Sequence, residues 1–105
     1  MANYEKYPKV IFPEGFDERS KDEMSMRGYL SHALIELEDG QCYPIFFMDP
    51  IRLQQELDLD IKNGNPCLAE PGLVILSSVT VENIEAAVSY LWKDGFFSHL
   101  KPVAP

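Results

Sequence analysis

The chain has 105 residues, 46% of them apolar and 25% charged, with a net charge of −8. That length fits one domain, which can bury roughly two-thirds of the surface its unfolded chain exposes. No apolar run reaches the ~20 residues a membrane-spanning helix needs, and the acidic balance argues against contacts with nucleic acid or anionic lipid.

The first residues, Met1-Ala2-Asn3-Tyr4-Glu5-Lys6-Tyr7, have no apolar core and carry an acid, so no secretory signal is read there and a cytoplasmic location is expected. Lys9-Val10-Ile11-Phe12 is a short strand candidate, closed by Pro13 and Gly15. Residues 14–27 mix Asp17, Glu18, Arg19, Lys21, Asp22, Glu23 and Arg27 with little apolar periodicity beyond Met24 and Met26. They read as a polar loop with at most one helical turn. Residues 1–29 are thus an extended segment and loop, and residues 30–105 the compact part of a single domain.

A hairpin follows. Residues 33–38 and 41–48 are strand-like and flank Asp39-Gly40, a pair favoured in two-residue type I′ turns because both central residues need positive φ. Such a turn sets Glu38 opposite Gln41, Leu37 opposite Cys42 and, further along, His32 opposite Phe47. Leu37, Ile35, Ala33, Cys42, Pro44, Phe46 and Met48 then form the core face. The other face holds Glu38, Glu36, Gln41 and Tyr43 near the turn, and Leu34, His32, Ile45 and Phe47 beyond. A contiguous apolar patch of that kind usually marks a contact surface unless the chain covers it. Residues 10–12 or the Phe96-Phe97 tail could cover it. Otherwise it is an interface, for a partner protein or a second copy, centred on Leu34, Ile45 and Phe47.

The next element is a helix. Asp49 can cap it, Pro50 suits its first position, Met48 can staple onto Leu53, and Leu53, Leu57 and Ile61 share one face. Asn63-Gly64 and Asn65-Pro66 stop it, and a turn-rich loop runs to Pro71-Gly72. Residues 73–77 form a short apolar strand. Thr80 caps a second helix, stapled by Val79 and Ile84, with Ile84, Ala87, Val88 and Leu91 on one stripe and Trp92 beside it. Gly95 ends that helix, and the apolar tail after it should pack down.

The order β-β-α-β-α implies an α+β two-layer sandwich: one small, mainly antiparallel sheet with both helices on one face. Pro44 cannot donate to a ladder, so the second hairpin strand should lie at an edge. A right-handed crossover then puts the third strand beyond the first, giving order 2-1-3, with a further N-terminal strand allowed.

Chemistry is sparse. Asp58-Leu59-Asp60 suggests a calcium loop, but the fifth, sixth and twelfth positions hold Lys62, Asn63 and Ala69 instead of an acid, Gly and Glu. His32, His99, Cys42 and Cys67 include no locally spaced ligand pair, and a catalytic Cys67–His99 pair has no local support. No phosphate-binding glycine loop and no cofactor motif occur. Both cysteines read as thiols rather than a disulfide.

The leading expectation is a small acidic, non-enzymatic interaction module, in one version an antagonist or immunity-type partner of a basic protein. It would use His32, Leu34, Tyr43, Ile45 and Phe47 on the outer face and Glu18, Asp22 and Glu23 in the acidic segment. The alternatives are a ligand-binding or enzymatic domain with a pocket near residues 63–71, or a subunit of a homo-oligomer or larger assembly.

Overall fold

The computed structural model describes residues 7–103. The expectation about a leader therefore falls mainly on residues outside those described. The order is β1 (Lys9–Ile11), α1 (Glu18–Arg27), β2 (Tyr29–Glu36), β3 (Cys42–Met48), α2 (Pro50–Lys62), β4 (Leu73–Ile75) and α3 (Val81–Lys93), then a 3-10 turn over Phe96–His99. The class is α+β, with a four-stranded mixed sheet.

The strand order is β1-β2-β3-β4, which corrects the expected 2-1-3 arrangement. β1–β2 and β2–β3 are antiparallel, whereas β4 lies parallel to β3, outside the hairpin. Pro44 does not force β3 to the edge, and hydrogen-bond phase explains why. Cys42 accepts from Val103 N–H, Phe46 N–H donates to Gly72, and Met48 accepts from Leu76 N–H, all on the side away from β2. Pro44 shares that phase, so its missing N–H costs nothing in the β2–β3 ladder. β4 pairs with β3 only from Phe46 onward, past the proline.

The hairpin turn differs too. Leu37 N–H donates to the Gln41 carbonyl and Gly40 N–H to the Leu37 carbonyl, both at 2.9 Å. The loop therefore has three residues, Glu38-Asp39-Gly40, with Gly40 at φ 86° closing a G1 bulge. Asp39 Oδ1 accepts from Gln41 N–H at 3.0 Å and favours this form. The extra loop residue shifts the register by one, so Ile35 faces Tyr43 and Ala33 faces Ile45. Because side chains alternate, the shift exchanges the two faces of β3.

The core consequently contains Leu30, Ala33 and Ile35 from β2 with Tyr43, Ile45 and Phe47 from β3. Ile84 and Val88 of α3, Met24 of α1, Leu76, Val79 and Phe97 complete it. Tyr43 and Phe97 meet with ring centroids 5.5 Å apart, so the apolar tail packs into this core.

Residues 18–27 form a ten-residue helix rather than a loop. Asp17 caps it by accepting from Ser20 N–H at 2.9 Å, and Gly28 at φ 74° ends it in the left-handed conformation. Of its two methionines, Met24 is buried and Met26 is exposed, so a single apolar anchor ties it down. Helices do not all share one face. No α2 residue belongs to the core, and its Arg52 guanidinium lies 4.2 Å from the Tyr29 ring centroid, on the sheet face shared by Tyr29 and Met48.

Candidate functional site

The residues expected to form an outer-face interface do not form one surface. Tyr43, Ile45 and Phe47 are buried, for the register reason given above, and Phe47 is fully enclosed. Leu34 is half-buried on the second face, where its ladder partners are Ile11 and Pro44. His32 is exposed in a β2 bulge, where Ser31 and His32 intervene between the Leu30–Phe47 and Ala33–Ile45 pairs.

The acidic residues fare differently, because α1 places them on a helix surface. Glu18, Asp22 and Glu23 are all exposed there. Glu18 pairs with Lys21 at 2.9 Å, and Glu23 approaches Arg19 at 3.9 Å. A groove separates α1 from the start of α3, with Lys21, Asp22 and Met24 on one wall and Thr80, Val81 and Glu82 on the other. The hydrogen bond that the Lys21 ammonium donates to Glu18, together with the charge of that carboxylate, raises Lys21 above its ordinary value, and the charges of Glu82 and Glu85 add to the effect. One lysine is thus set among Glu18, Asp22, Glu82 and Glu85, drawn from two helices. Asp49, Asp17 and Thr80 are occupied as caps, each accepting a backbone N–H at its own helix start. The contribution of Glu82 and Glu85 was invisible in sequence, because it depends on how α3 lies beside α1.

A second groove, of about 240 Å³, lies on the other flank of α1. β1 pairs only with Leu34, Ile35 and Glu36, so the first half of β2 pairs with β3 on one edge and has no strand on the other among the described residues. The β1–α1 loop and α1 curve round that gap. Arg27, Ser31 and His32 line one part of the groove, Phe16 and Leu30 its apolar wall, and Glu14 its rim. His32 has φ 66°, the one non-glycine residue at positive φ among those described.

The loop at residues 63–71 stays mostly exposed, with Leu68 half-buried. Its Pro71 lines a shallow groove with Pro44, His99, Leu100 and Lys101. Cys42 is half-buried, Cys67 is exposed, and neither is bridged. Among the described residues no group of three or more His, Cys, Asp or Glu side chains could hold a metal ion, and no helix is long and apolar enough to cross a membrane.

No family model, no curated protein and no solved structure matches this chain.

Proposed function

We propose that this protein is a non-enzymatic interaction module that docks a basic protein on the acidic face formed by α1 and α3. The observation that carries the reading is the groove across which Asp22 and Glu82 face one another, with Glu18 and Glu85 beside it and Lys21 the one cation in that group. Exposed carboxylates on two helices that flank one groove raise the local negative potential, which speeds encounter with a cationic surface. Trp92 lies two turns beyond Glu85 on the same flank of α3 and is 40% exposed. Aromatic side chains of that kind commonly supply the apolar anchor that charge alone does not. The net charge of −8 favours the same class of partner and opposes self-association through this face. An antagonist that masks a basic partner is the concrete form of this reading.

The test compares immobilised wild type with the Glu82→Lys/Glu85→Lys variant in native lysate, washed at low and then high salt. Proteins retained by wild type, absent from the variant and released by salt support the proposal. An identical retained set from both proteins contradicts it.

A different observation favours a second reading, self-association through α2. Ile51, Leu59 and Ile61 are each more than half exposed, and none of the thirteen α2 residues is fully buried. A helix with that much apolar surface outside the core is suited to a symmetric contact.

A further inference from the structure

We propose that the groove between α1 and the β2 bulge binds a small organic oxyanion, a carboxylate or phosphate monoester carried on an aromatic body. The site is independent of the acidic docking face. Ser20 and Arg27 fall on one side of the buried Met24, and Lys21 and Ser25 on the other.

The donors set the ligand's charge. Arg27 is exposed and makes no ion pair among the described residues; its guanidinium rests 5.3 Å from the Tyr29 ring centroid. That leaves its planar fork of N–H groups open to a carboxylate or phosphate. By contrast, Arg52 on the same ring is committed to Glu56 at 2.7 Å. Ser20 also lines the groove, but its hydroxyl is committed to Asp17 at 3.0 Å. Among the described residues the Ser31 hydroxyl and His32 imidazole have no hydrogen-bond partner, and both sit in the same lining as Arg27.

The walls set the ligand's body. Phe16 stacks on Phe12 with centroids 4.5 Å apart and planes 17° from parallel, which fixes its ring as one apolar side. Leu30 and Pro13 extend that side. A flat apolar group with one anionic end matches such a lining better than a bare inorganic ion.

The backbone points to the same place. A non-glycine residue in the left-handed region is uncommon, and glycine would hold that conformation at lower cost. His32 is exposed, so packing does not explain its identity. β-bulges re-aim side chains, and this one sits where β2 has no strand on the edge away from β3. Glu14 on the rim opposes an anion, which gives the proposal a signed prediction.

The full chain is titrated with benzoate, phenyl phosphate and inorganic phosphate, with benzylamine as a cationic control, while backbone amide shifts are followed by NMR. Saturable shifts at Arg27, Ser31 and His32 are expected with benzoate or phenyl phosphate and not with benzylamine. Arg27→Gln should weaken binding about tenfold, as loss of a charge-assisted pair does. Glu14→Gln should tighten it. His32→Gly should weaken binding with no loss of melting temperature, because glycine accepts positive φ. The proposal is overturned if neither aromatic anion saturates, if inorganic phosphate binds as tightly as phenyl phosphate, or if Arg27→Gln leaves affinity unchanged. Weaker binding in Glu14→Gln would also overturn it, by pointing to a cationic group on the ligand.

Discussion

Ile35 stands opposite Tyr43 in the β2–β3 ladder, and that pairing decides which face of the sheet is core. It places Tyr43, Ile45 and Phe47 beneath α3 and leaves Pro44 and Phe46 on the second face, with Pro44 exposed and Phe46 half-buried. The interaction surface proposed above therefore lies on the helices rather than on the hairpin.

Phe47 carries the clearest stability consequence. It is fully enclosed, so Phe47→Ala should cost about 3–5 kcal/mol in chemical denaturation, as aromatic truncations in packed cores do. Leu34→Ala, on the half-buried second face, should cost clearly less. Equal losses at the two positions would contradict the face assignment.

Gly28 ties the end of α1 to the start of α2. Its carbonyl accepts from Asp49 N–H at 2.8 Å, and Asp49 Oδ1 in turn caps α2 by accepting from Arg52 N–H at 2.7 Å. A Cβ on Gly28 would overlap the Asp49 carboxylate, with its Cγ at 2.7 Å, and the backbone there is at φ 74°. Gly28→Ala should therefore destabilise by roughly 2 kcal/mol, combining left-handed strain with a lost cap. Gly64→Ala also meets positive φ, but nothing lies within 4 Å of its Cβ, and it should cost less.

Acid should loosen α1 first at its N-terminus. Backbone and side-chain hydrogen bonds from Ser20 hold the Asp17 carboxyl below its ordinary value of 3.8. A depressed folded-state value means the cap's contribution is present above pH 3.8 and is lost as the pH falls through the lower folded value. Amide protection in the first turn of α1, taken relative to the intrinsic exchange rate at each pH, should fall across that window. In Asp17→Ala it should be low already at neutral pH.

Self-association through α2 has its own signature. Ile51→Glu combined with Leu59→Glu should shift any dimer seen by light scattering toward monomer with little change in melting temperature, since neither residue belongs to the core. A melting temperature that fell with the dimer would show that α2 is needed for the fold itself.

Much of this architecture was legible in sequence because its signals are local. Asp49-Pro50 and Thr80 start α2 and α3 where expected, and Ile84 and Val88 face the core. α1 was missed because its evidence is capping, Asp17 and Gly28, rather than apolar periodicity; Met24 alone is buried. The face of β3 was misassigned because Asp-Gly serves two loop lengths. A three-residue loop with Gly40 at positive φ uses the same residues as a two-residue turn, yet reverses every side chain beyond it. Pro44 misled in a similar way, since its effect depends on which side its nitrogen faces. The acidic face and the bulge groove depend on how α1 lies against α3 and β2, which no local pattern specifies.

The most direct test is the pattern of Hα–Hα contacts across the hairpin, measured by nuclear Overhauser spectroscopy. Non-hydrogen-bonded pairs in an antiparallel ladder bring their Cα atoms within about 4.5 Å, so they give strong contacts. The three-residue loop predicts such contacts for Glu36–Cys42 and Leu34–Pro44. Strong contacts for Leu37–Cys42 and Ile35–Pro44 instead would mean a two-residue turn, with Ile45 and Phe47 back on the outer face, and would contradict the account.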